Sequence, residues 1–471
     1  MLPATMRNPL AGKRVLVGVG GSIAAYRACD VVRRLRDHGA TVRVAPTRAA
    51  AAFVTPMTFE ALAGTPCLGG VLDVEQGRIP HVEEAHACDL AVVVAATADL
   101  LAKMAHGLAD EALHATLLAF PGPVVMAPAM ESHMWSHPAT QANVATLRAR
   151  GVHQVGPVDG SLASGRAGAG RLAPVEDIVE AAAWAVCGKD LAGKRLVLTA
   201  GPTVEDLDPV RFLTNRSSGR MGVALAVQAA RRGAEVALVH GPLKVAVPNV
   251  PGLFAHAVRS AAEMHEETTR RAARADAAIL CAAVADARPR SLAKRKLKKT
   301  AGELASIELV PTRDILADLG AARRKKKARR PVLVGFAAET GDVLAYARGK
   351  LEQKGCDLIC ANDVAEEGSG FDVETNRMLL VWPDQERWLP RSTKDEAAWH
   401  ILDEVKALLA PGTPTRLTGP SPVRPRRRGR GAPTELGAPQ ATGGATKPSV
   451  TRARPATEGH PGRRSKSRRR S

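Results

Sequence analysis

The chain has 471 residues, 45% of them hydrophobic and only 3% aromatic, with a formal net charge of +19. That length predicts two to four domains, with cores built from Ala, Val and Leu. No apolar run approaches the roughly eighteen residues of a spanning helix, and the start, MLPATMRNPLAGKR, lacks a secretory apolar segment, so a cytoplasmic protein with no membrane partner is expected.

Seven cysteines (Cys29, Cys67, Cys88, Cys187, Cys281, Cys356 and Cys360) are scattered without paired metal-ligand spacing. They read as small core residues rather than a disulfide framework or a zinc site. The charge is concentrated. Residues 411–471 hold 15 Lys and Arg against two acids, Glu435 and Glu458, and carry +13 of the total. The rest is only mildly basic.

Taken in order, Val15–Val19 reads as a strand running into the turn Gly20-Gly21-Ser22. A helix to Gly39 and a second strand, Thr41–Val44, follow. This is a Rossmann-type start, whose turn amides and Ser22 could hold a phosphate at the helix N-terminus. Thr47, Phe53, Thr55 and Thr58 come after the second strand. Leu90–Val94 is a buried parallel strand by its unbroken apolar run, delivering Thr97 and Asp99. Val124–Met126 is another, delivering Ala127-Pro128-Ala129-Met130-Glu131. The Gly-rich stretch 156–171 reads as a flap or a passive surface loop, and 173–187 as a helix.

At Leu191 the chain restarts. LAGKR occurs at both 10–14 and 191–195, and Gly39-Ala40-Thr41-Val42 is matched by Gly233-Ala234-Glu235-Val236. The second unit is longer by 13 residues between its first strand and first helix. That extra length is the polar stretch GPTVEDLDPVRFLTNRSSGRMG (201–222), set where open α/β sheets place ligands. A connection this long inside a compact domain is usually functional or disordered.

Further on, Ala277–Ala283 reads as a buried strand ending near Asp286. The basic segment Lys294–Lys299 behind it suits a polyphosphate, or else a solvated face. The run 323–330 (RRKKKARR) reads as solvated surface. Val332–Gly335 is a strand, and the helix after it places Lys350 and Lys354 on one face. Asp357–Ala361 is a further strand. From about Pro411 the composition is that of a disordered basic tail.

AGPTVEDLDPVRFLTNRSSGRMG, CAAVAD with KLKK, VGFAAET and DLICAND, in this order, resemble the ligase half of the bifunctional coenzyme A biosynthesis flavoproteins. That family joins phosphopantothenoylcysteine decarboxylase to phosphopantothenate–cysteine ligase. The resemblance covers roughly residues 10–405. It implies two Rossmann-like three-layer α/β domains with mostly parallel sheets: a flavodoxin-like FMN-binding half (1–189) and a ligase half (190–410), then the tail (411–471). For the ligase it implies CTP as co-substrate, a divalent metal such as Mg2+ with ligands left unassigned, and 4′-phosphopantothenate and L-cysteine as substrates. Asn215 corresponds to the residue handling the acyl-cytidylate. Asp286, Lys296, Thr312, Arg313, Asp314, Ile315, Phe336, Lys350 and Lys354 fall on CTP-binding positions. Thr312-Arg313 replaces the family's Asn-Pro, and Arg220 keeps the charge of a family lysine.

For the first half, GVGGSIAAY (Gly20, Gly21, Ser22) matches the FMN phosphate turn. Thr47 and Phe53, after the second strand, join the flavin-binding set with Thr97, and His81 matches the catalytic histidine. Two residues depart. Glu131 stands where the family has the Asn that holds the substrate carboxylate, and Ser164 where it has an acid cysteine. An ionised Glu repels a carboxylate, and a serine hydroxyl is a far weaker acid than a thiol. The expected function is therefore the bifunctional enzyme; the alternative is an active ligase whose impaired decarboxylase half serves as an oligomerisation scaffold. The resemblance further implies a homo-oligomer, with trimeric flavodomains holding flavin at subunit interfaces and dimeric ligase domains. The tail adds a possible nonspecific nucleic-acid contact.

Overall fold

A computed structural model describes residues 8–74, 77–298, 306–366, 370, 373 and 375–410. The expectation of a disordered tail at 411–471 lies outside the described residues, as does Lys299.

In the first half, strands β1 (Arg14–Val19), β2 (Thr41–Pro46), β3 (Leu90–Ala96), β4 (Val124–Pro128) and β5 (His153–Gln154) form one sheet in the order β2-β1-β3-β4-β5. Every pairing in it is parallel. This is the flavodoxin-like order, whose switch point lies between β1 and β3. Helices α1 (Arg27–Asp37), α2 (Arg48–Ala51), α3 (Pro56–Ala63), α4 (Pro80–Ala87), α5 (Ala98–His106), α6 (Ala112–Ala119), α7 (Ser132–Ser136), α8 (Pro138–Ala149) and α9 (Val175–Val186) connect the strands and flank the sheet. Alternation along β1 shows why the strands are apolar throughout. Val15, Val17 and Val19 pack under α1 and α9, whereas Leu16 packs with α5, α6 and α8 on the other face. The Gly-rich stretch forms the antiparallel hairpin β6 (Val158–Ser161) and β7 (Ala167–Arg171).

The turn after β1 needs Gly20, because a Cβ there would sit 2.2 Å from the carbonyl oxygen of Ala95. Ala95 itself has φ of 55°, where the β3–β4 register slips between Val94 and Ala96. The bulge re-aims the end of β3, so that Thr97 caps α5 by accepting from Leu100 N (3.2 Å).

The second half begins with β8 (Arg195–Ala200). The insertion after it is not a bare loop, for it holds the antiparallel ribbon β9 (Val204–Asp206) and β10 (Phe212–Thr214). Then come α10 (Arg220–Arg231), β11 (Glu235–His240), β12 (Leu253–Ala257), α11 (Ala261–Ala272), β13 (Ala277–Leu280), the ribbon β14 (Ala287–Pro289) with β15 (Leu309–Pro311), α12 (Ile315–Lys325), β16 (Val332–Glu339), α13 (Val343–Lys354) and β17 (Leu358–Asp363). The last stretch is β18 (Thr375–Asn376), β19 (Leu379–Val381), β20 (Glu386–Trp388), β21 (Ser392–Thr393) and α14 (Lys394–Leu409). The main sheet runs β12-β11-β8-β13-β16-β17-β19-β20. Its first six strands are parallel, in the order of a Rossmann sheet with the switch between β8 and β13, and β19 and β20 return antiparallel. No helix among the described residues is long and apolar enough to cross a membrane.

The halves meet where α9 lies beside α10. Glu180 accepts a two-pronged guanidinium contact from Arg231 (2.6 Å at Nε). The next residue, Arg232, is 0% exposed. It holds Asp190 through two 2.8 Å hydrogen bonds and Asp403 of α14 at 2.9 Å, with its guanidinium 4.8 Å from the Trp399 ring centre. One side chain thus ties the entry of the second half to its last helix. The basic run 323–330 differs from expectation at its ends. Arg323 is buried, because Asp357 and the carbonyls of Gly355 (2.7 Å) and Pro331 (3.2 Å) take its guanidinium out of water.

The insertion is held by Asp208, 2% exposed. Its Oδ1 accepts from Val210 N and Arg211 N (both 2.8 Å); its Oδ2 accepts from Leu297 N (3.1 Å) and Arg211 Nη1 (3.3 Å). Burial pushes the carboxyl's pKa up, but these donors outweigh it and hold it below the ordinary 3.8. The basic segment is thereby fastened to the insertion.

Two outcomes follow. Arg232→Ala should lower stability by about 3–5 kcal/mol, as expected for breaking a buried ion pair, read by urea unfolding. Asp208→Ala should speed amide exchange across 207–213 and 293–298 together, read by hydrogen–deuterium exchange; unchanged exchange at 293–298 would show that another group holds the basic segment.

Candidate active sites

A cavity of about 500 Å3 opens at the carboxyl ends of β8, β13 and β16. Its floor is stitched by hydroxyls. Ala282 N donates to Thr199 Oγ1 (3.1 Å) and Ala285 N to Thr203 Oγ1 (2.9 Å). Thr312 Oγ1 donates to Ala285 O (2.6 Å), and Thr214 Oγ1 to Thr203 O (2.8 Å). The β14–β15 ribbon sets Asp286 beside Thr312, whose N donates to Asp286 O (3.0 Å).

Of the residues expected at the nucleotide, Asn215, Asp286, Thr312, Arg313, Asp314, Ile315, Phe336 and Lys350 line this cavity. Lys296 and Lys354 do not. Lys354 stands behind the wall at 2.8 Å from Asp314, which also caps α12 by accepting from Ala317 N (2.8 Å). Lys350 Nζ donates to Phe336 O (2.7 Å). Lys296 is exposed on the segment that Asp208 fastens.

Asn215 has a defined orientation. Its Nδ2 donates to Ala283 O (3.2 Å) and Val284 O (3.0 Å). Two carbonyls fix the amide's sense, because Oδ1 in that place would meet only acceptors. Oδ1 is the amide's remaining polar atom, so in this geometry the group offers a ligand an acceptor. Arg313 is anchored by Asp318 (2.7 Å), which also meets His265 (2.8 Å). Among the lining residues that escaped the sequence reading as site members are Asn362, Asn376 and Lys394. Lys394 is buried at the first turn of α14 and donates to Gly370 O (3.1 Å). Nothing local distinguishes it from an ordinary helix-start lysine; only the antiparallel return of the chain brings it here.

A second cavity, of about 950 Å3, lies at the carboxyl ends of the first sheet. It brings together Gly21, Ser22, Thr97, Glu131 and Ser164, with Tyr26, Arg27 and Arg171 around them. Gly20 shapes the turn without lining the cavity. Thr47 is buried, capping α2 through Ala50 N (3.1 Å), and Phe53 is 50% exposed outside the lining. His81 lies on α4, away from this lining, with Nδ1 buried and unpartnered among the described residues. Glu131 caps α7, accepting from His133 N (2.6 Å). The base of the β6–β7 hairpin is tied to the same loop. Met130 N donates to Gly170 O (3.0 Å), and a Cβ on Gly170 would sit 2.2 Å from Met130 O. The hairpin therefore forms one wall with the Glu131 loop, and its tip carries Ser164. No cysteine lines this cavity.

Among the described residues, Asp110, Glu111 and His114 bring possible metal-ligating atoms within 4.8 Å of one another. Lys103 and the Arg48 amide already engage the two acids, and none of the three lines either cavity.

Comparison with known proteins bears on both halves. Residues 3–186 match the model of the Flavoprotein family, and residues 191–409 that of the DNA/pantothenate metabolism flavoprotein C-terminal domain. The coenzyme A biosynthesis bifunctional protein CoaBC of Vibrio parahaemolyticus is 44% identical over 402 residues, 85% of this chain and 99% of that protein. Its namesake from Escherichia coli K12 is 43% identical over 400 residues (84% and 97%), and that of Mycobacterium bovis 45% over 412 (84% and 97%). With both halves matched in order, the chain belongs to the family of bifunctional coenzyme A biosynthesis flavoproteins, which join a phosphopantothenoylcysteine decarboxylase to a phosphopantothenate–cysteine ligase.

Proposed function

We propose that the second half ligates L-cysteine to 4′-phosphopantothenate with CTP, and that the first half decarboxylates 4′-phosphopantothenoylcysteine to 4′-phosphopantetheine with FMN. The observation that carries the ligase assignment is the convergence of Asn215 with Asp286, Thr312–Ile315, Phe336 and Lys350 on one switch-point cavity.

In the ligase step the substrate carboxylate attacks the α-phosphate of CTP, releasing pyrophosphate and leaving an acyl-cytidylate. The cysteine amine then attacks the acyl carbon, CMP departs with the bonding pair, and the amine gives up a proton. Lys350, Lys394 and Arg220 supply positive charge along the cavity, which offsets triphosphate charge as the leaving group develops. The Asp286 carboxylate takes no lysine or arginine partner among the described residues, whereas Asp314 is engaged by Lys354. Asp286 is thus the lining acid that would hold a Mg2+ ion, whose charge would offset that of the triphosphate. The acceptor Oδ1 of Asn215 suits the N–H of the incoming amine.

In the first half, Gly21, Ser22 and Thr97 provide amides and hydroxyls for a phosphate and a ring edge, in a cavity roomy enough for a mononucleotide. Bound FMN supplies two-electron oxidation of the substrate thiol and the returning reduction. His81 lies outside the lining, and Ile23, Tyr26, Phe53 and Met57 are exposed on this half. A homo-oligomer in which a second copy presents His81 to the cavity accounts for its place outside the lining.

Glu131 and Ser164 favour a second reading, a working ligase with an impaired decarboxylase, since the cavity holds a carboxylate where substrate carboxylate would sit and no thiol acid. The first reading predicts that phosphopantothenoylcysteine releases CO2 and yields 4′-phosphopantetheine in a single turnover. Reduced flavin trapped with oxidised product would overturn it. Under either reading, Glu131→Asn with Ser164→Cys should accelerate decarboxylation tenfold or more, given that general acid groups contribute about 10²–10⁴. Asn215→Ala should lower ligase kcat by about 10² with little change in the KM for CTP, followed by pyrophosphate release. An equal fall in CTP affinity would move Asn215 from the reaction to nucleotide binding.

A further inference from the structure

We propose that the exposed middle of the basic run between α12 and β16 is a nucleic-acid docking surface that binds phosphates without reading bases. The run divides into two kinds of cation. Its ends are paired anchors, the buried Arg323 on Asp357 and the exposed Arg330 on Asp276. Between them Arg324, Lys325, Lys326, Lys327 and Arg329 are all exposed, and none takes a carboxylate partner among the described residues. Several other surface arginines of this half are paired: Arg259 with Asp206, Arg270 and Arg271 with Glu267, Arg348 with Glu386, Arg387 with Glu404. The C-terminal carbonyls of α12 favour one or two cations over its last turn; five within the six residues 324–329 exceed that need.

A second observation points the same way. Arg330 also donates to Leu409 O (3.4 Å), so the anchor beside the unpaired block touches the last turn of α14. The chain continues one residue later into 411–471, where 13 Arg and two Lys face two acids. Covalent linkage of a second cationic segment raises its effective concentration at any polyanion held by the first. The composition selects the partner. A membrane surface asks for apolar residues to bury beside the cations; residues 315–330 expose no large apolar side chain, and 411–471 contain no aromatic residue. Arginine forks pair bidentately with phosphodiesters. With nothing to stack on bases, binding is sequence-independent and governed by counterion release. The block sits at the far end of α12 from Ile315, which lines the nucleotide cavity, about 16 Å away for an 11-residue helix, so docking leaves the ligase cavity open.

The test is fluorescence anisotropy of the full-length protein with a labelled 30-base-pair duplex between 50 and 200 mM salt. The triple variant Lys325→Gln, Lys326→Gln, Lys327→Gln should flatten the plot of log affinity against log salt by about 2.7, at about 0.9 per lost phosphate contact, and bind more than tenfold more weakly at 100 mM salt. Its ligase activity should match that of the unaltered protein. Arg426→Gln, Arg427→Gln, Arg428→Gln measures the tail's share separately. An unchanged slope in the lysine triple would overturn the proposal and assign any binding to the tail. Absence of duplex binding, or tighter binding to phosphatidylserine vesicles than to the duplex, would also overturn it.

Discussion

The ligase half depends on a single buried carboxylate. Asp208 accepts from three backbone amides and one guanidinium, and these come from two segments almost ninety residues apart in sequence. A buried acid without such donors would destabilise its surroundings. Here it converts a long polar connection into a fixed platform. Arg211 closes the joint by reaching Leu297 O (3.1 Å). Around this joint Thr203 pins the insertion to the stretch after β13, Thr214 closes the insertion on Thr203, and Thr312 ties that same stretch to the end of β15, so Asn215 is held by structure that the Rossmann sheet alone does not supply.

Much of this was legible in the chain itself. The repeated LAGKR start located both first strands, and the extra length between strand and helix marked the insertion. Unbroken apolar runs gave β3, β4, β13, β16 and β17, because strands covered on both faces leave no polar alternation. Contributions that arrive from elsewhere in the fold were not legible. Asn376 and Lys394 reach the cavity through the antiparallel return. Lys354 matches a nucleotide-contacting position but spends its charge on Asp314. Arg323 looks like one more solvated cation in RRKKKARR, yet it is buried, since a guanidinium with an acid and carbonyls around it can leave water. Side-chain partners of this kind depend on tertiary contact and leave no periodic trace.

The two cavities solve the same topological problem with different economies of charge. The cavity of the first half is walled by a hairpin whose base is bonded to the Glu131 loop, so the carboxylate and Ser164 belong to one mechanical unit. Glu131 gives one oxygen to the cap of α7, which holds the carboxylate in place. The ligase-half cavity surrounds its acids with lysines and arginines and holds the uncharged Asn215 amide in one orientation. A triphosphate suits the latter surroundings, whereas a substrate carboxylate finds opposition in the former unless Arg27 or Arg171 offsets it.

The antiparallel return that carries Lys394 also bears on the order of synthesis. Chains emerge N-terminus first and domains fold as they appear. The parallel strands and most of the nucleotide wall are complete by Asp363, yet the cavity gains its last lysine only when α14 docks against α10 with Arg232 holding Asp403. A nascent chain thus has a nearly finished sheet before it has a finished site. Completion of the cavity and closing of the fold thus coincide, with the docking of the final helix as the step that makes the ligase cavity whole.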